Sequence, residues 1–169
     1  QVDDTKAAGT ITDLETLFDG NPAPLPRYFS VHHEFSNQWF DGFNSLVDNH
    51  NSNHVARPIT LTVRHDQFPD YCKDRQINLK SMTFYLNPAA VNASPPVYTI
   101  DIDATHFDLS PSNENLFTNT YTLPTTVIAG NDDSVDIEFK LYKFDTPNDL
   151  SIDEDELNDL FILFEYELT

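Results

Sequence analysis

Val135-Asp136-Ile137-Glu138-Phe139-Lys140-Leu141 alternates without a break: four apolar residues at odd positions, three charged ones between them. A period of two places every other side chain on the same face of an extended chain, so this stretch is a half-buried strand. The same pattern recurs outward in both directions. Ile59-Thr60-Leu61-Thr62-Val63-Arg64 and Tyr98-Thr99-Ile100-Asp101-Ile102-Asp103 alternate in this way, and Phe29-Ser30-Val31-His32-His33-Glu34-Phe35 does so too. Several short alternating strands separated by turn residues predict an all-β fold, an antiparallel β-sandwich of about seven or eight strands.

The remaining elements follow from breaks in this pattern. A first strand is expected from about Tyr28 to Phe35, on which His33 lies on the apolar face and His32 on the outer one. Ser36 is a suitable N-cap, and Trp39, Phe40, Phe43 and Leu46 recur at three and four, so one short helix should follow the first strand. Asp48 to Asn53 is a polar loop. Arg57-Pro58 leads into the strand at Ile59, and Phe68-Pro69 ends it. From Gln76 onward the apolar parity slips: Ile77 and Leu79 are odd, whereas Met82, Phe84 and Leu86 are even. Both sets can face the core only if one extra residue intervenes, which predicts a β-bulge near Lys80-Ser81. Asn87 to Pro96 is a proline-rich loop. Further strands are expected at Val97–Asp103, Phe117–Leu123 and Val135–Leu141, with Gly130-Asn131-Asp132-Asp133 as the turn before the last of these. Thr146 to Asn158 is an acidic loop, and its Ser151-x-x-Glu154 spacing predicts a single helical turn. Leu160-Phe161-Ile162-Leu163-Phe164 is apolar on both faces, as in a central strand or one whose outer face meets another segment or subunit.

Residues 1–26 differ in character. Thr12-Asp13-Leu14-Glu15 has capping-box spacing, Leu14, Leu17 and Phe18 could form one amphipathic turn, and Gly20 would stop it. Pro22, Pro24 and Pro26 then make a stiff connector. The expected division is an N-terminal arm over 1–26 and a sandwich over 27–169, the arm docking on its own sandwich or on a neighbour. The chain begins at Gln1, as a processed protein or an excised piece would.

At 169 residues, with 13 Phe, 7 Tyr and 1 Trp, one core can form without staples. Cys72 is the only cysteine, so no disulfide forms within the chain. The net charge of −19 argues against DNA, RNA or anionic membrane as partners, because those require Lys/Arg patches. It favours solubility, a basic partner or bound cations. No apolar run is long enough for a membrane-spanning helix.

The acids form clusters without a recognisable catalytic frame. Asp132, Asp133 and Asp136 gather at a turn, and Asp149, Asp153, Asp155 and Asp159 precede the last strand, but neither run has the spaced acids and glycine of an EF-hand. Calcium at Asp132, Asp133 and Asp136 is the one cofactor candidate; a solvated acidic surface is the plainer account. Asp101 and Asp103 point the same way from one strand, a geometry that could serve a hydrolase only in a cleft that raises a carboxyl pKa. His50 and His54 have zinc-like spacing on a poor helix former, with no third ligand marked. Ser110 and Ser112 lack a nucleophile frame, and Cys72 has no motif around it. Asn92-Ala93-Ser94 is a glycosylation sequon followed by Pro95, and marks an exposed loop. No catalytic residue is assigned, and the residues read as non-catalytic.

Three segments resemble a known family. Arg27-Tyr28-Phe29-Ser30-Val31-His32-His33-Glu34-Phe35-Ser36-Asn37-Gln38-Trp39 resembles the Phe-Ser-Leu-x-x-Glu-Phe-Pro-x-x-Trp stretch near the C-terminus of Tc toxin A subunits and of shorter related proteins. Ile59 to Tyr71, with Asp66, Phe68, Pro69 and Tyr71, is similar to their Leu-Thr-Leu-x-x-x-x-Phe-Pro strand. Leu157 to Tyr166 resembles their closing strand. Ser36 stands where that pattern has proline. The resemblance covers about residues 26–168 and implies a sandwich that docks another subunit, the cocoon-forming B–C component, without catalytic residues. It also implies an extracellular, secreted or toxin-complex setting. The helical and channel regions of such subunits have no counterpart in these residues, so pore formation is not implied.

The expected function is therefore a protein-interaction or assembly module whose partner is another protein subunit or copies of itself. Trp39, Phe40, Phe161 and Leu163 are its candidate contact residues, each of which could equally be core. The alternatives are a glycan-binding sandwich, with or without calcium, using Tyr121 or Tyr142, and a self-assembling secreted filament or coat subunit that exchanges its arm between neighbours.

Overall fold

The computed structural model describes residues 24–43, 57–91, 93–112, 114–145, 148–150, 152 and 154–169. The expected helix at Leu14–Phe18, Leu46, His50 and His54, the sequon residue Asn92, and Ser151 and Asp153 lie outside the described residues. Two antiparallel sheets face each other. The first contains β1 (Leu25–Ser30), β3 (Ile77–Pro88), β6 (Ser110–Pro111), β7 (Phe117–Ile128) and β10 (Leu157–Leu168), in the order β1-β10-β3-β7-β6. The second contains β2 (Pro58–Arg64), β4 (Val97–Ile102), β5 (Thr105–Asp108) and β8 (Ser134–Asp145), in the order β2-β8-β4-β5, with β9 (Asn148–Leu150) added alongside β8. The chain is thus an all-β sandwich.

The core lies between the two inner faces. Phe84 of β3 meets Phe139 of β8 edge-on at 5.2 Å between ring centres, and Tyr98 of β4 meets Phe117 of β7 at 4.9 Å. Each alternating strand turns its apolar positions inward: Ile59, Leu61 and Val63 on β2, Ile137, Phe139 and Leu141 on β8, and Ile162, Phe164 and Tyr166 on β10 are all buried. The parity slip in β3 is a bulge at Lys80. Its pairing jumps from Leu79 to Ser81 against both neighbours, Tyr166 then Glu165 on one side and Thr126 then Thr122 on the other. The turn before β8 also forms, with Asp133 N–H donating to the Gly130 carbonyl at 3.0 Å. The acidic loop carries a short helical turn, Glu154–Glu156.

The first strand differs from expectation. It begins at Leu25, so Pro26 lies within it, and it ends at Ser30, where the alternating residues turn into α1 (Val31–Glu34) and α2 (Ser36–Phe43). Ser30, not Ser36, is the hydrogen-bonding cap: its Oγ accepts from His33 N–H at 3.1 Å. Helical geometry redirects the histidines. His33 is exposed, and His32 stacks on the Trp39 ring at 4.8 Å instead of facing outward from a sheet.

Helix α1 packs on β10 and α2 packs on β2, so the pair bridges the two sheets. The close approach of α2 to β2 depends on Gly42. A Cβ there would stand 2.6 Å from Ile59 Cγ1, and Ile59 is buried. Gly42→Ala should therefore destabilise the fold by roughly 1–3 kcal/mol despite alanine's better helix propensity. A urea midpoint equal to or above that of the parent would contradict this packing account.

Candidate interaction surface

Pairing register fixes which side chains share the outer face of the first sheet. One row across β1, β10, β3 and β7 is Ser30, Phe161, Tyr85 and Thr118. The next is Tyr28, Leu163, Thr83 and Thr120. The third is Pro26, Glu165, Ser81 and Thr122. Glu165 is the only charge in the three rows, in a chain with 28 acids. The aromatic end is contiguous: burial raises the Tyr85 hydroxyl pKa, with smaller contributions from neighbouring Tyr28 and Glu165. Thr83 and Thr120 hydroxyls bond at 2.8 Å, and Ser81 donates to Glu165 at 3.3 Å, so these polar groups are satisfied within the face. Tyr28 is 56% exposed.

Of the four expected contact residues, the structure places two together on this face. Leu163 is buried there but is not among the residues of the central core, and Phe161 is half-buried beside it. Trp39 belongs to the core, whereas Phe40 on the same helix is 51% exposed. Tyr28, Tyr85 and the threonines on β7 were not singled out in the sequence. Thr118-x-Thr120-x-Thr122 was a usable signal, because its period of two puts three hydroxyls on one face.

The outer face of the second sheet has the opposite character. A groove of about 630 Å³ is lined by Asp101, Asp103, His106, Asp136, Glu138 and Lys140, among others. Thr62 holds Asp136 at 2.7 Å and Thr60 reaches Glu138 at 3.3 Å. Asp101 accepts from Tyr142 at 3.1 Å and pairs with His106 Nδ1 at 2.6 Å. Asp103 does not extend β4 alongside Asp101 as expected. It lies beyond the strand end, in the hairpin turn to β5, with φ 52°, and accepts from Tyr121 at 2.7 Å. Tyr142 is 3% exposed and leaves no ring face for stacking on a sugar. Asp136 is tied to β2, and among the described residues no three His, Cys, Asp or Glu side chains gather as a metal-holding group.

Cys72 is buried and free, with Sγ 3.6 Å from the Tyr166 hydroxyl, which also contacts Tyr71 at 3.0 Å. Burial pushes the Cys72 thiol up, partly offset by Tyr166 and Arg75. Burial, reinforced by Tyr71 and Cys72, also pushes the Tyr166 hydroxyl well up. Both groups are held neutral in the folded state. Their contribution to stability is complete below their ordinary values of 9.0 and 10.0 and is lost as pH rises beyond them. Urea midpoints should therefore fall progressively above pH 9.0, and Tyr166→Phe should flatten the decline. A parent curve flat to pH 11, about one unit beyond tyrosine's ordinary value, would contradict this.

No described helix is long and apolar enough to cross a membrane. The chain matches no protein-family model and no curated protein.

Proposed function

We propose that this chain is a non-catalytic docking module that contacts another protein through the outer face of its first sheet. One observation carries the reading: three contiguous rows of aromatic, aliphatic and hydroxyl side chains hold a single charge in a chain of net charge −19. Interface centres are depleted of charge and enriched in tyrosine and phenylalanine. Tyr28, Phe161 and Tyr85 supply the aromatic part, and the hydroxyls of Thr83, Thr120 and Ser81 are already paired, so covering these three leaves none of them unsatisfied. The resemblance to the C-terminal sandwich of Tc toxin A subunits supports the same role and suggests a B–C component as the partner.

The test is binding of the full chain to a purified Tc toxin B–C component by biolayer interferometry. Saturable binding that Tyr28→Asp and Thr120→Glu each weaken at least tenfold is expected, with Thr60→Asp on the opposite sheet near parental. Absence of binding would remove the Tc partner. Equal loss in all three variants would remove this face as the docking surface.

A further inference from the structure

The docking reading takes its B–C partner from resemblance alone, and we infer, resting on that reading, that the first occupant of the face is a second copy of this chain, packed face to face about a two-fold axis. The argument is electrostatic. In a two-fold contact each residue near the axis meets its own copy or a close neighbour, so any charge there faces the same charge. A chain of net charge −19 can associate with itself only where its acids are absent. The second sheet fails this condition, because Asp101, Asp136 and Glu138 line its outer groove and would meet their own copies. Three contiguous rows of the first sheet meet it: they hold Glu165 alone, at one margin and tied to Ser81, and Glu167 beyond that margin is neutralised by Lys80 at 3.0 Å. A partner of basic character would be drawn to the acidic groove instead, so charge complementarity assigns the neutral face to a neutral partner, and another copy presents one.

Face-to-face packing is also favoured over edge-to-edge pairing. Among the described residues the edges of this sheet are β1, which carries Pro26, and β7, which β6 covers only at Phe117 and Thr118 and which carries Pro124; proline within an edge strand discourages the addition of another strand. Tyr28, exposed on β1, stands where it can reach the partner sheet. Four strands at about 4.8 Å spacing give a patch roughly 15 Å wide, so the dimer is weak and depends on concentration. Salt should strengthen it by screening the remaining acids.

Sedimentation of the full chain over a concentration series, at low and high salt, tests this. A monomer–dimer equilibrium tightened by salt is expected, with the dissociation constant raised at least tenfold by Tyr28→Asp and by Thr120→Glu, and less than threefold by Thr60→Asp. Both face positions are exposed, and melting curves verify that the variants fold. A chain that stays monomeric at millimolar concentration overturns the self-pairing. If the monomer still binds the B–C component in a Tyr28-dependent way, the docking reading survives alone. Dimers indifferent to both face substitutions overturn the face as the self-pairing seam, and the docking reading then stands or falls on the binding test alone.

Discussion

Asp159→Ala should lower stability by about 3 kcal/mol and the melting temperature by roughly 6–12 °C, although the residue lies in a run of acids that reads as a solvated loop. Asp159 is 5% exposed. Its carboxylate accepts from Ser30 Oγ at 2.5 Å, from His32 N–H at 3.1 Å and from Leu160 N–H at 2.7 Å. Ser30 in turn caps α1, and Glu34 returns to accept from Ser30 N–H at 2.8 Å while pairing with Arg27. The result is a chain of bonds joining β10 to the start of the helical segment across 129 residues. Removing the carboxylate leaves a hydroxyl and two backbone donors without their acceptor in a largely dry site, which costs more than the bonds themselves contribute. Asp159→Asn retains one carbonyl acceptor and should cost about half as much. Hydrogen exchange supplies a local readout: the His32 amide should exchange faster in Asp159→Ala than amides in β2, which has no part in the network. Parental stability in the alanine variant, or uniform exchange, would sink this account.

The same network explains where the sequence could be read and where it could not. The bulge at Lys80 was legible because core parity is a strictly local rule: Ile77 and Leu79 must share a face with Met82 and Phe84 whatever lies across the sheet. The doubly apolar run of β10 allowed either an interior strand or one covered on its outer face, and β10 lies between β1 and β3. Val31 to Phe35 reads as strand because its alternation is genuine, while the residue that decides the matter, Asp159, is distant in sequence. Tertiary partners outvote weak local preferences. A local hint did exist, since Ser30 and Glu34 bracket the turn and Val31 and Phe35 recur at four. The neutral face was only half legible. Phe161 and Leu163 could be found on one strand, but their union with Tyr28, Tyr85 and the threonines of β7 depends on register between strands far apart in the chain.

Trp39 and Phe40, neighbours on one helix, should separate stability from surface chemistry. Trp39→Ala should cost about 3–5 kcal/mol, and Phe40→Ala less than about 0.5 kcal/mol. Three- and four-residue spacing allowed both on the apolar face, but a helix of eight residues packed against one sheet edge buries only a narrow stripe. Trp39 and Phe43 occupy that stripe with ring centres 4.8 Å apart, and His32 stacks on the indole at 4.8 Å. Phe40 is turned out, 51% exposed. The indole also carries a cost: Nε1 is buried without a hydrogen-bond partner among the described residues. An unsatisfied donor offsets part of what the ring's burial contributes, so Trp39→Phe, which removes the donor and keeps a ring, should cost only about 1 kcal/mol. The ordering alanine, then phenylalanine, then parent in urea midpoint is the result to look for. A phenylalanine variant as unstable as the alanine one would mean that Nε1 is bonded in solution and that Trp39 contributes through that bond as well as through packing. If Phe40→Ala proves as damaging as Trp39→Ala, the helix sits on its sheet in a different rotation, and the bridge it forms between the two sheets must be redrawn.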